Sequence, residues 1–374
     1  MMLFALTAEQ SAIRETVLGY LAEAANLERL RGVLQSGTGF DAALWSGLAG
    51  EMGFAGLMVP EIFGGAGLGA LEMALVLEQT GAHLAMIPFF ESAVLAVQAI
   101  LALGSMAQKT ALLPALASGA CKAAFAFAPE TGWGGPEAIG PVLAGRKLSG
   151  TSGFVSFAHV ADLLIIAARG DEGLSLLAMP ANLPGIAITR CHGLDLTRPM
   201  ASIQFRDVEV QEAFILGDRG QAAAAFAKLL AIGCGLLAAE QMGGAGFCLA
   251  STLDYAKQRV QFGRVIGSFQ AVKHELANMM TQLETARSAV CYAAAAIDEN
   301  GTEMAEATAI ARAWCSETYK HCASESIQLH GGIGFTWEHH AHLYFKRARA
   351  TASWFGDADE HRATLARLIL QDIS

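Results

Sequence analysis

Hydrophobic spacing changes period twice along this 374-residue chain, and that double change constrains the fold more than any other feature. Near the start, Ile13, Val17 and Leu21 recur at the interval that lines one face of an α-helix. Thr7 followed by Gln10 makes a T-x-x-Q capping box, in which each partner satisfies an orphaned N–H of the other, so a helix is predicted to begin there. Further helices are predicted over about 41–52, 71–84, 90–103 and 107–117, separated by breaks such as Val59-Pro60 and Phe63-Gly64-Gly65. Between Lys122 and about Glu212 the pattern shortens. Ala124–Phe127, Leu163–Ala167, Leu174–Met179 and Ile203–Phe205 are β-branched or apolar runs bounded by Gly, Pro and Asp, and they read as strands. After Gly217 the helical period returns, over about 219–257, 267–299, 302–329, 339–352 and 357–372, with Gly301 as the turn between two antiparallel helices. Three domains are expected: helical 1–119, β 120–218 and helical 219–374.

Composition narrows the function classes. A net charge of −10 without a concentrated basic face excludes a nucleic-acid partner, because a phosphate backbone needs one. At 53% hydrophobic and 16% charged residues, the chain has more apolar surface than a lone subunit would expose, which predicts an oligomer. Seven cysteines with no C-x-x-C pair, several inside apolar helical runs, read as free buried thiols in a reducing, cytoplasmic compartment. No basic segment precedes an apolar one at the N-terminus, so no secretory signal is expected. The apolar run 222–239 is interrupted by Lys228 and dominated by Ala and Gly, so it reads as a core helix and no membrane insertion is expected.

Three stretches carry a resemblance: Tyr255-Ala-Lys-Gln-Arg-Val-Gln-Phe-Gly263 with Ser268-Phe-Gln270, then Gln328-Leu-His-Gly-Gly-Ile-Gly-Phe335, then Trp354-Phe-Gly356 with Arg362. Each is weak alone. Arg259 to Gly263 could be an ordinary helix terminus, and the Gly331, Gly332, Gly334 cluster a simple turn. Together, at this spacing and in this order of elements, they resemble the acyl-CoA dehydrogenase family. The resemblance implies that family's α+β fold: an N-terminal helical domain, a middle β-barrel-like domain and a C-terminal four-helix bundle. It also implies FAD, lying between the β domain and the C-terminal helices, with its pyrophosphate and adenosine reaching a neighbouring subunit. Arg259 and Gln261 would contact the pyrophosphate region, Phe262 the adenosine side, and Gln270, Gln328, Gly331 and Gly332 the rest of that tail. An arginine donating to phosphate oxygens would supply the positive group an acidic chain needs locally. Phe127 and Ala128 would present backbone groups to the flavin, with Phe154 and Ser156 beside its ring system and Asp357 as a further contact. The loop from Pro129 to Gly135 departs from the family's pattern, which leaves its cofactor contacts open.

The family removes an α proton from an acyl-CoA thioester while the β hydrogen leaves as hydride to the flavin, and electron-transfer flavoprotein is the implied acceptor. A carboxylate must take the proton. The resemblance places it at Phe355 in most members and at Gly233 in a second group, and neither side chain can accept a proton. The catalytic base is therefore unassigned. Glu240, two helical turns or about 10 Å from Gly233, reads as a structural ion pair, and Asp357 and Asp359 read as helix caps. His330 reads as a cofactor-side structural residue. His339, His340 and His342 with Glu338 lack a defined metal geometry, and no metal set is assigned. The segments Thr336–His339, Leu343–Arg347 and Trp354–Asp359 look like the members that assemble as two-gene heterotetramers in bacterial breakdown of steroid side chains, where one subunit carries the glutamate. A homo- or hetero-oligomer built as a dimer of dimers follows from that likeness. Three alternatives stand beside it: a self-sufficient dehydrogenase with a displaced carboxylate, a structural or binding homologue without the chemistry, and a flavin monooxygenase of the same fold.

Overall fold

The computed structural model describes residues 6–135 and 137–371. Helices come first: α1 (Ala8–Ala24), α2 (Leu27–Ser36), α3 (Ala42–Trp45), α4 (Ala70–Ala82), α5 (Val97–Leu103) and α6 (Met106–Ala117). The Thr7–Gln10 capping box forms as the sequence predicts, with Gln10 N–H donating to Thr7 Oγ1 at 3.2 Å and Thr7 N–H to Gln10 Oε1 at 2.9 Å. Two segments expected as plain α-helix, Ser46–Glu51 and Phe90–Ala96, are π-helical instead.

Eight strands follow: β1 (Ala123–Ala126), β2 (Val142–Ala144), β3 (Lys147–Ser156), β4 (Leu163–Gly170), β5 (Gly173–Pro180), β6 (Ile186–Arg190), β7 (Met200–Glu209) and β8 (Ile215–Leu216). They form one mixed sheet in the order β6-β7-β3-β2-β4-β5-β8, with β1 pairing parallel to β4. On β7, buried Ala201, Ile203 and Phe205 alternate with more exposed Ser202, Gln204 and Arg206, the period expected of a strand with one wet face. On β4, six consecutive residues from Leu163 to Ala168 are buried because both faces are covered, which is why that strand shows a continuous apolar run.

The C-terminal helices are α7 (Ala223–Gln258), α8 (Gln270–Glu299), α9 (Met304–His330), α10 (Ala341–Ala352) and α11 (Ala358–Gln371); between α7 and α8 lies a hairpin of β9 (Val260–Gln261) and β10 (Arg264–Val265). The turn joining α8 to α9 takes its left-handed residue from Asn300, with φ of 52°, one position before the Gly301 that the sequence suggested. Among the described residues, α7 is the one helix long and apolar enough to cross a membrane, and 67% of its most apolar window is buried in the protein.

The chain packs as two compact units that interleave in sequence. One comprises 33–69 and 86–233, and holds the sheet. The other comprises 1–32, 70–85 and 234–374, and holds the C-terminal bundle with α1 and α4. Inside the bundle, side-chain atoms on Gly243 and Gly244 of α7 would overlap the Glu78 carbonyl of α4 and the Tyr319 ring of α9, so glycine at both positions permits the helices' close approach. Glu240 is 4% exposed and accepts a hydrogen bond from Arg347 Nη1 at 2.9 Å, the ion pair expected from the sequence.

Candidate active site

The loop joining α10 to α11 carries the position where the resemblance puts a carboxylate. Phe355 is 2% exposed, with its ring stacked on Trp354 at 4.8 Å, and its φ of 59° is left-handed. A non-glycine residue held in that region costs on the order of 1–3 kcal/mol and persists only where its surroundings over-determine it.

The determinant is Arg312, a fully buried guanidinium on α9. Its Nη2 donates to the carbonyls of Thr351 and Trp354 at 2.6 Å each, and its Nη1 to Gln241 Oε1 at 3.0 Å. Weaker contacts at 3.4 Å reach the Ala352 and Gly356 carbonyls, so its partners are carbonyls at the end of α10, where the helix dipole leaves partial negative charge, and in the loop that follows, together with one amide oxygen. Burial lowers the Arg312 pKa from its usual value.

Two further groups meet the same loop, and the sequence reading singled out neither for this role. Cys234 Sγ lies 3.8 Å from the Phe355 carbonyl and 4.0 Å from His361 Nε2. Burial pushes the thiol up to about 11, and burial followed by the Arg312 charge pushes the imidazole down to about 4. Both are therefore neutral at pH 7 and form no thiolate–imidazolium pair. The nearby carboxylates are engaged: Asp357 Oδ1 accepts the N–H groups of Asp359 and Glu360 at 3.0 and 2.9 Å as the cap of α11, and Asp359 accepts from Arg362 at 2.9 Å. Gly233 lies within α7 and carries no side chain.

The tail-binding residues named from sequence fall on two neighbouring features of the bundle unit. Phe262 and Gly263, at φ of 53° and 77°, form the two-residue turn of the β9–β10 hairpin, matching the paired positive φ of a type I′ turn. Phe262 is 91% exposed, and Arg259 and Gln261 are exposed beside it. Gln270 opens α8. At the end of α9, the Gln328 carbonyl accepts the N–H of Gly331, whose φ and ψ of 66° and −147° are open to glycine almost alone. A methyl group on Gly331 or Gly332 would meet nothing within 4 Å, so exposed backbone faces open space there. Tyr255, one turn before Arg259, donates to the His330 carbonyl at 3.4 Å and packs on its ring at 4.4 Å, which brings the base of the hairpin to the glycine cluster.

The sheet unit holds the other group. Phe127 lies in an aromatic cluster with Phe125, Trp133 and Phe226 at centroid distances of 5.1, 5.9 and 5.8 Å, so the divergent loop contributes its tryptophan to that wall. The Ala128 carbonyl accepts from Gly153 N–H and Ser152 Oγ at 3.1 Å each, tying it to β3. A bulge between Ser152 and Val155 breaks the β3–β7 register, and Phe154 within it takes φ of 51° and stands 51% exposed. Ser156 is 2% exposed, and its Oγ has no hydrogen-bond partner. Buried hydroxyls are normally satisfied, so this one has a hydrogen bond open to an ordered water or a ligand atom.

The histidines after the glycine cluster stack without converging: His330 on His339 at 4.4 Å and His339 on His340 at 4.3 Å. Burial first, then mutual repulsion, lowers His339 to about 4 and His340 to about 3.

The sheet unit thus carries a buried hydroxyl without a partner next to an exposed aromatic, and the bundle unit carries an open glycine backbone and an exposed Arg259. The helix–sheet–helix order and the matches to known proteins place the chain among flavoprotein oxidoreductases. More narrowly, the chain belongs to the acyl-CoA dehydrogenase family. Residues 7–120 match the family's N-terminal domain and residues 220–370 its C-terminal domain. The acyl-CoA dehydrogenase IpdE2 of Mycolicibacterium smegmatis is 35% identical over 95% of this chain and 97% of its own length. Among solved structures, the ChsE4–ChsE5 complex of Mycobacterium tuberculosis superposes at a TM-score of 0.91 with 28% identity, covering 99% of both chains. PigA, solved with FAD and proline, superposes at 0.90 with 25% identity, covering 98% of this chain and 99% of that one.

Proposed function

We propose that this chain is an FAD-holding subunit of an acyl-CoA dehydrogenase that works with a second, carboxylate-bearing chain. The observation that carries the reading is Phe355: a buried aromatic ring stands at the base position, and the acidic side chains around it, Asp357 and Asp359, cap and pair within α11. A phenyl ring accepts no proton at any pH. The FAD of PigA and the two-component complex of ChsE4–ChsE5 support, by likeness, a flavin and a heteromeric partner for this chain.

When bound, FAD supplies a two-electron hydride acceptor. In this reading the chain's own residues bind and orient. Arg259 would pair with pyrophosphate oxygens, Phe154 would wall the ring system, and the Ser156 hydroxyl would donate to the flavin. The Phe355 backbone N–H, which does not depend on its side chain, donates to the thioester oxygen as charge builds there. The α proton would pass to a carboxylate of the partner chain, and an electron-transfer flavoprotein would be the electron acceptor. Seven free thiols support a reducing, cytoplasmic setting.

The test is purification of the chain alone and co-expressed with the products of neighbouring genes, followed by the visible flavin spectrum and ferricenium-coupled turnover of acyl-CoA thioesters. The expected result is turnover only with the partner. Full turnover by the isolated chain would refute the subunit reading, and a chain without flavin under both conditions would refute the enzyme reading.

A further inference from the structure

Away from every residue assigned above, α8 and α9 bring three side chains into a set of metal-ligand type. His321 and Glu325 lie one turn apart on one face of α9, and Glu275 faces them from α8. One donor atom from each lies within 4.8 Å of the other two. His321 Nε2 and Glu275 Oε1 are 3.0 Å apart but lack hydrogen-bond alignment, and both atoms are shielded from solvent with no hydrogen-bond partner. We propose that Glu275, His321 and Glu325 form a divalent transition-metal site, with zinc as the fitting ion, that pins α8 to α9.

Charge and geometry both point that way. Two carboxylates crowd one imidazole, with one donor atom of each residue within 4.8 Å of the other two, and a dication between them removes the carboxylates' mutual repulsion. A simple His321–Glu275 ion pair would leave that repulsion in place. One nitrogen and two oxygens suit zinc, cobalt or nickel better than magnesium or calcium, which favour all-oxygen shells. Corners of a zinc tetrahedron lie roughly 3.4 Å apart at the usual bond lengths, so the observed spacing closes with small rotamer adjustments. Three protein ligands leave a fourth position for water. The inference is independent of the flavin reading, because it uses none of the same residues.

The experiment is calorimetric titration of the chelator-treated full-length protein with zinc chloride and magnesium chloride, with cobalt absorption as the spectroscopic readout. Expected are one zinc per chain, no magnesium heat, visible d–d bands of tetrahedral cobalt and a raised unfolding temperature with zinc. His321→Ala and the near-isosteric Glu325→Gln should each weaken zinc binding at least about tenfold, the lower end of what even outer-shell losses cause. Circular dichroism confirms that both variants keep their helices. His340→Gln should bind zinc like the parent. Absence of zinc binding, or stoichiometric binding that survives Glu325→Gln, would overturn the assignment; loss in His340→Gln alone would place the metal on the stacked histidines instead.

Discussion

Replacing Arg312 with methionine removes the one side chain that gathers the end of α10, and the structure sets the size of the effect. Five acceptors lose a donor: the carbonyls of Thr351 and Trp354, each at 2.6 Å, those of Ala352 and Gly356, each at 3.4 Å, and Gln241 Oε1 at 3.0 Å. A buried acceptor left unpaired costs about 1–3 kcal/mol; the Thr351 carbonyl keeps the Trp354 N–H as a donor and the two contacts at 3.4 Å are weak, so the combined loss is roughly 3–6 kcal/mol after partial relaxation. Against this, methionine escapes the desolvation of a guanidinium that is 0% exposed, a penalty of several kcal/mol that the native contacts already offset. The net expectation is a loss of about 2–4 kcal/mol, read as a lower urea midpoint at unchanged slope. Arg312→Lys keeps the charge, but a single ammonium cannot span both carbonyls and the amide, so it should lose less than methionine but remain below the parent. Hydrogen exchange locates the effect: the amides of Phe355 and Gly356 should exchange faster while those of β4 do not change. A methionine variant within about 0.5 kcal/mol of the parent would refute the claim that Arg312 holds the loop.

Four further outcomes follow from the same geometry. Phe355→Glu should confer measurable desaturation on the FAD-loaded chain in the ferricenium assay; no gain would mean that the thioester does not bind beside that side chain. Arg259→Ala should weaken flavin retention on gel filtration and flatten its dependence on salt, since in the proposed arrangement it deletes a charge-assisted phosphate contact. Gly331→Ala should lower the unfolding temperature through backbone strain of about 1–3 kcal/mol, and Gly331→Ser by a similar amount, because the space there is open and only the conformation is restricted. The stacked histidines predict acid lability. Their folded values, about 4 for His339 and about 3 for His340, lie below the unfolded value of about 6.5, so the stability they hold is complete above pH 6.5 and drains as pH falls toward 4. Denaturation midpoints between pH 7.5 and 4 should fall, and His340→Gln should flatten that fall; an unchanged profile would disprove it.

Local pattern determined much of this protein. The helical period names most of the helices, though not α2, and apolar runs name β1, β4, β5 and part of β7, because each depends on residues a few positions apart; the Thr7–Gln10 cap is visible for the same reason. The glycine at 331 and the absence of a carboxylate at 355 are equally properties of the chain itself. Strand β3 was harder to see, since its Gly- and Ser-rich run lacks a strand's usual composition and its bulge is defined only by pairing with β7. That bulge, and not the sequence of β3 alone, exposes Phe154 while burying the Ser156 hydroxyl without a partner. The pairing of Glu240 with Arg347, the grip of Arg312 on the loop before α11 and the meeting of Glu275 with His321 and Glu325 join residues tens of positions apart. No local period encodes such pairs, because they exist only once the helices pack and exclude water, and it is this exclusion that turns ordinary polar side chains into a held loop and a candidate metal site.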